Sequence, residues 1–220
     1  MQSDESKALS VGRRRTLTAL AIGVSGIAGA GSAAAALLAT PAQTRGPFYP
    51  QQLPLDSDND LVQVAGKSTL AKGEITDLRG RVLDVAGRAV AGAQVEIWQC
   101  DAFGRYHHPW DRRGAPLDEN FQGYGHVTTS REGAYRFRTI KPVPYPGRAP
   151  HIHFAVTAPG AAPFITQMYV AGAPENEGDF LLNRLGDAGK ARLIVAFTPA
   201  PADDGSAALR ARFDVVLGEG

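Results

Sequence analysis

A single cysteine, Cys100, stands in 220 residues. One thiol forms no internal disulfide, and a cysteine-based zinc cage needs several. Any metal held here therefore falls mainly to His, Tyr, Asp or Glu. An excess of one charge sign is also missing. Lys and Arg number 23 against 22 Asp and Glu, a net charge of +1, which gives no electrostatic reason to expect nucleic-acid binding. With 44% apolar and 20% charged residues, the composition is that of a globular chain and not of a disordered one. Turn formers are abundant: Gly 25 and Pro 15 favour many short strands over long helices. At about 150 residues per domain the length fits one domain, two at most, and no internal repeat is visible.

The first forty residues differ in kind. Lys7 and the run Arg13, Arg14, Arg15 form a positive region, and residues 17–40 carry no charge and are dominated by Ala and Gly. Small residues over 33–42 offer cleavage sites of the signal-peptidase type. Residues 1–40 read as a targeting segment, and the paired arginines before a mild apolar run resemble a twin-arginine export signal. The competing reading is a membrane anchor, but the Gly and Ala content makes the stretch only weakly hydrophobic. The expectation is an exported protein, periplasmic or extracellular, with no stable membrane span in the mature form. The homo-oligomeric state stays open.

Residues 41–74 begin with Pro41, Pro47, Pro50 and Pro54, too closely spaced for a helix to pass through, and read as an extended arm. From residue 75 to 220 the pattern is strand and turn. ITDLRGRVLD alternates, and AVAGAQVEIWQC follows with Val95 and Ile97 on one face and Glu96 and Trp98 on the other. TSREGAYRFRTI reads as a hairpin turn at Glu132-Gly133 followed by a strand. APHIHFAVTA, FITQMYV, RLIVAFT and LRARFDVVL complete the set. FLLNRL is the one expected helical turn. Seven or more short strands with regular turns predict an all-β fold, an antiparallel β-sandwich with an extended N-terminal arm.

His151-Ile152-His153 is the strongest local signal. Positions i and i+2 share a strand face, so Ile152, Phe154 and Val156 turn to the core while the two imidazoles project together as a metal clamp. Tyr106 follows the strand ending at Cys100, and Tyr145 lies between two prolines that stiffen its loop. A phenol with a pKa near 10 loses its proton to a bound trivalent cation, as thiols do to bound metals. Phenolate oxygen with imidazole nitrogen suits ferric iron. On residue type alone, a pair of surface histidines, a loop aromatic at Tyr106 and a turn tyrosine at Tyr145 remain open.

Four ordered stretches carry a resemblance: GRVLDVAGRAVAGAQVEIWQCDAFGRYHHP, NFQGYGHVTTSREGAYRFRTIKPVPYP, PHIHFAV and ITQMYV. Over residues 77–170 the chain resembles the intradiol ring-cleavage dioxygenases, typified by protocatechuate 3,4-dioxygenase. RGPFYP is similar to that family's Gly-Pro-aromatic opening. The resemblance implies a β-sandwich catalytic domain that cleaves a catechol-type ring with O2 at a mononuclear non-haem Fe(III), giving a cis,cis-muconate-type product. Its motifs imply Tyr106, Tyr145, His151 and His153 as iron ligands. They further imply Tyr145 as the ligand that leaves and takes a substrate proton, Arg148 as the active-site arginine and Gln167 as the pocket glutamine. Without the motif, Arg148 reads as a surface residue and Gln167 as a buried amide. In many relatives a longer loop with tryptophan and arginine separates the second tyrosine from His-x-His. Here only residues 146–150 intervene, so inherited substrate specificity does not follow.

Two other readings compete. One is a non-catalytic, transthyretin-like β-sandwich binding module, which would lack the two-tyrosine, two-histidine set. The other is a zinc hydrolase on His151 and His153, which wants a third His or a carboxylate. His107, His108 and His126 read as turn or surface residues, Cys100 and Trp98 as packed ones, and Glu175, Glu177 and Asp179 as a solvated loop.

Overall fold

A computed structural model describes residues 36–54, 56–200 and 207–218. The leader read over residues 1–40 lies outside these except for its last five residues. Those five already sit on the fold: Leu37 N donates to Val85 O at 2.7 Å and Thr40 N to Val216 O at 2.8 Å.

The described chain is mostly strand, with one short α-helix and two 3-10 turns. One sheet is built around β1 (Ile75–Asp84), which pairs with β4 (Ala134–Ile140), β9 (Leu209–Arg212) and β10 (Val215–Leu217), with β8 (Phe197–Pro199) outside β9. The other runs in the order β3 (Tyr124–Thr128), β2 (Gln94–Trp98), β5 (His151–Thr157), β6 (Phe164–Val170), β7 (Ile194–Val195). Both sheets are mixed, against the antiparallel expectation: β1 runs parallel to β9 and β10, and β6 parallel to β7. The reason is connectivity. The chain returns from β6 to β7 through two 3-10 turns and α1 (Asp187–Leu193), and only tight hairpins force antiparallel neighbours. The turn at Glu132-Gly133 forms, with Gly133 N donating to Ser130 O at 2.9 Å. Its two flanking strands then part, β3 to β2 and β4 to β1. The hairpin expected there is a crossover between sheets.

One hydrophobic cluster draws on both sheets, with Leu78, Val82, Phe137 and Ile140 from the first and Val95, Ile97, Ile152, Phe154 and Met168 from the second. Each fully buried side chain of this size contributes about 1.5–3 kcal/mol. Residues 41–74 are not loosely attached: Leu61 and Val62 belong to this cluster, and Gln43 N donates to Ile165 O at 2.9 Å. The expected helical turn at FLLNRL is the 3-10 turn Leu182–Arg184, and the α-helix starts beyond it. Among the described residues no helix is long and apolar enough to cross a membrane.

Candidate metal centre

Strand β5 is buried on both faces. Ile152, Phe154 and Val156 join the main core, and the alternation of a strand turns His151 and His153 to the opposite side. That side is not solvent. Trp98, Cys100, Tyr106, Tyr124 and Ala155 form a second cluster there, with Phe48, Tyr49 and Tyr145 packed against it. Sheet register assembles the rest. Trp98 of β2 and Gln167 of β6 both stand opposite His153, and Tyr169 stands opposite His151. Directly opposed residues share a face, so two neighbouring rows, Trp98–His153–Gln167 and His151–Tyr169, bring these groups together.

Tyr106 arrives on the long irregular stretch between β2 and β3, which buried carboxylates hold in place. Asp101 Oδ1 accepts from Phe103 N and Arg105 N at 2.9 and 3.0 Å, Asp101 Oδ2 accepts from Asp118 N at 2.9 Å, and Asp111 Oδ2 accepts from Tyr106 N at 2.8 Å. Tyr145 arrives on a turn in which Arg148 N donates to Tyr145 O at 2.9 Å. Pro146 and Gly147 occupy its centre, and Gly147 has φ +82°, the positive value that the third position of a type II turn requires. The turn sets Tyr145 and Arg148 side by side at the entry to β5.

The four candidate ligands converge. His151 Nε2 lies 3.2 Å from His153 Nε2 and 3.4 Å from the Tyr106 hydroxyl. Ring centroids are 5.7 Å apart for Tyr106 and Tyr145 and 5.4 Å for Tyr145 and His151. His151 Nδ1 lies 2.7 Å from Ala149 O. A carbonyl only accepts, so Nδ1 carries the proton and Nε2 presents its lone pair to the cluster. Burial, reinforced by the Arg148 charge, lowers the His151 pKa to about 3. Burial, then His151 and Arg148, hold His153 well below the usual imidazole range. Both rings are neutral at pH 7, as metal ligands must be. Burial also raises Tyr106 and Tyr145 above the ordinary phenol value, so each keeps its proton until a cation displaces it.

Aromatic walls close the cluster. Trp98 stacks on His153 at 4.8 Å and 5°, and Phe48 stacks on Tyr106 at 4.7 Å. Gly46 has φ +70°, which favours glycine, and a Cβ there would sit a tight 3.2 Å from His153 Cε1. Arg148 is held by Asp179 Oδ2, 2.9 Å from Nε, and its Nη2 donates to Gln167 Oε1 at 2.6 Å and to the Tyr169 hydroxyl at 3.2 Å. Gln167 Nε2 in turn donates to Thr44 O at 2.8 Å. All six residues singled out in the sequence thus meet in one place.

The donor set fits a hard-to-borderline trivalent cation: two neutral imidazoles and two phenols. Among the described residues no group of three or more His, Cys, Asp or Glu side chains gathers to hold a metal, so the zinc-hydrolase reading has no third ligand there. Asp179 was missed in the sequence. Read as part of a solvated loop, it is 1% exposed. The signal that could have found it was its place just ahead of FLLNRL, where an Asp oxygen caps backbone N–H groups. His108 is likewise buried, against Phe48 and Trp110.

Comparison with known proteins agrees with this geometry. A family model described as Dioxygenase matches residues 44–219. The protocatechuate 3,4-dioxygenase beta chain of Burkholderia cepacia is 41% identical over 168 residues, covering 73% of this chain and 71% of that one. The chain belongs to the intradiol ring-cleavage dioxygenase family. Hydroxyquinol 1,2-dioxygenase of Corynebacterium glutamicum, another member, is 33% identical over 210 residues, 82% of this chain and 64% of the relative. Among solved structures, the dioxygenase domain of a dioxygenase carbohydrate-binding protein fusion from Streptomyces sp. SirexAA-E superposes with a TM-score of 0.64 at 28% identity. It covers 83% of this chain and 99% of that domain. The family's members are ring-cleavage enzymes, and nothing in these likenesses supports a non-catalytic binding module.

Proposed function

We propose that this intradiol dioxygenase works with a single ferric ion held by Tyr106, Tyr145, His151 and His153, and cleaves a catechol-type diol with O2 to a cis,cis-muconate-type diacid. The carrying observation is the convergence of two neutral imidazoles with the buried Tyr106 phenol and the half-buried Tyr145 phenol. When bound, ferric iron supplies a Lewis-acidic centre that takes the two oxygens of an ortho-diphenol and makes its ring reactive toward O2. The chain's own residues do the rest. The Ala149 carbonyl holds His151 in the tautomer whose Nε2 binds metal. Trp98 and Phe48 keep water from His153 and Tyr106. Tyr145, half-buried on its turn, would be one of the residues holding the ion, and its oxygen would take a proton from the incoming diphenol. The Arg148 guanidinium stabilises negative charge that develops on the ring and its oxygens, and Gln167 orients that guanidinium and borders the same pocket.

In this reading the two sheets are the layers of a β-sandwich, and residues 41–74 are an arm that carries Gly46 and Phe48 to the metal. The test is direct: purify the protein, measure its metal, record its visible spectrum and follow O2 uptake with a panel of catechols. One iron per chain, a reddish tyrosinate band and ring cleavage are expected. A colourless protein fully occupied by zinc refutes the proposal.

We also propose that residues 1–40 export the folded enzyme by the twin-arginine route. The support is the Arg13, Arg14, Arg15 run ahead of an uncharged stretch. Replacing the three by lysine is expected to leave folded, iron-loaded protein inside the cell, and unchanged export refutes the route.

A further inference from the structure

We infer that Asp179 is a positioning residue for catalysis, fixing the Arg148 guanidinium at the angle the chemical step uses. Guanidinium is a planar fork whose orientation is set once two of its nitrogens are held. Here Nε donates to Asp179 Oδ2 at 2.9 Å and Nη2 donates to Gln167 Oε1 at 2.6 Å. Both contacts fall on one edge of the fork, which leaves the Nη1 amine as the donor for charge on a bound ring.

The aspartate is itself fixed. Its Oδ1 accepts from Leu181 N and Leu182 N at 3.0 and 2.9 Å, and its Oδ2 accepts from Ala149 N at 2.9 Å. Three backbone donors and one guanidinium fill the acceptor sites of a carboxylate that is 1% exposed and leave it no second rotamer to visit. Asp179 thereby ties the segment between the turns Pro174–Glu177 and Leu182–Arg184 to the backbone just before His151. Without Asp179 the guanidinium would be held through Nη2 alone, by Gln167 and Tyr169, and could swing about that one nitrogen. A charge that must face a developing anion acts well only when it is already in place.

The inference rests on the proposed role of Arg148 in the chemical step. Its test compares iron-loaded wild type, Arg148→Ala, Asp179→Asn and the double variant for kcat, KM, iron content and the tyrosinate band. Asn keeps the size of Asp and an acceptor for Leu181 and Leu182, but turns an amide N–H toward Arg148 Nε and Ala149 N. Asp179→Asn is expected to keep iron and colour and to lose about 10- to 100-fold in kcat, the usual cost of disturbing a supporting group, with KM changing far less. The double variant is expected to match Arg148→Ala within about twofold in kcat, because the effect of Asp179 on the chemical step runs through Arg148. Near-normal kcat in Asp179→Asn beside a crippled Arg148→Ala overturns the inference. So does a double variant in which the two losses multiply, the mark of an independent structural role. Failure of the underlying reading looks different: wild type cleaves no diol, or Arg148→Ala is silent, and either overturns both. If Asp179→Asn does not fold, Arg148→Lys decides the matter. It leaves Asp179 and its backbone donors in place, yet one ammonium cannot serve Asp179 and Gln167 as the fork does. A roughly tenfold or greater loss of kcat with the band intact is expected, and wild-type turnover in Arg148→Lys overturns the inference.

Discussion

At the scale of single residues, burial sets the chemistry of the cluster more than any charged partner does. It is the largest influence on His151, His153, Tyr106 and Tyr145 alike, and it pushes all four toward their neutral forms. Neutral imidazoles with free lone pairs are ready for metal, while the phenols wait for a cation to take their protons. Arg148 stays charged in the same surroundings. Burial opposes that charge, but the Asp179 carboxylate 2.9 Å from its Nε favours it. Arg148→Ala is therefore expected to keep iron and colour while kcat falls about a hundred- to a thousand-fold, the cost of one preorganised electrostatic donor, and substrate binding changes less. Steady-state kinetics beside an iron assay checks this, and iron loss or near-normal turnover contradicts it. The sequence showed the His-x-His pair by strand alternation alone. It could not show that Trp98 stacks on His153 or that Asp179 is buried, since both depend on which chain segment lies opposite.

At the scale of elements, the short link over residues 146–150 does two jobs. It brings Tyr145 and Arg148 to the mouth of β5, and its five residues leave no room for the longer loop that many relatives carry there. Gly147 has φ +82°, and a Cβ added there would meet no atom within 4 Å, so Gly147→Ala brings conformational strain and no clash. About 1–2 kcal/mol of stability is expected to be lost, read as a lower midpoint in chemical denaturation with unchanged slope, together with a shifted tyrosinate band as Tyr145 moves. A midpoint equal to wild type argues against the turn assignment. The same brevity predicts broad tolerance for substituted catechols. Each apolar pocket contact that a longer loop would supply is worth about 1–3 kcal/mol in discrimination, and comparing kcat/KM across a catechol panel measures it. A preference of about ten-thousand-fold for one diol contradicts an open pocket.

At the scale of the whole molecule, a few buried acids tie distant segments together, and Asp179 shows how this makes stability depend on pH. Burial favours its neutral form, but the N–H groups of Leu182 and Ala149 and the Arg148 guanidinium outweigh that and hold its pKa below the ordinary carboxylate value. A lowered folded pKa means that the stabilisation is complete above the unfolded value of about 3.9 and is lost as pH falls through the folded one. The stability advantage of wild type over Asp179→Asn is thus expected to be constant from about pH 5 upward and to shrink below about pH 4. Calorimetric melting of both proteins across that range checks it, and an advantage that grows on acidification contradicts the assignment.

What the sequence determined by itself was everything local or periodic. The strands over ITDLRGRVLD, HIHFAVT and FITQMYV, the turn at Glu132-Gly133, the side of β5 that carries the histidines and the ordered motifs of the family were all legible, because period-two alternation and turn chemistry act between near neighbours. The tertiary structure decided which strands pair. It sent β3 and β4 to different sheets, laid β9 and β10 parallel to β1, and brought residues 41–49 and Asp179 to the candidate metal centre. Those outcomes follow from burying two faces of β5 and its neighbours against distant segments, as where Thr166 donates to Pro41 O, 125 positions away. No local pattern encodes such a pairing, since it is selected by the joint packing of the whole core.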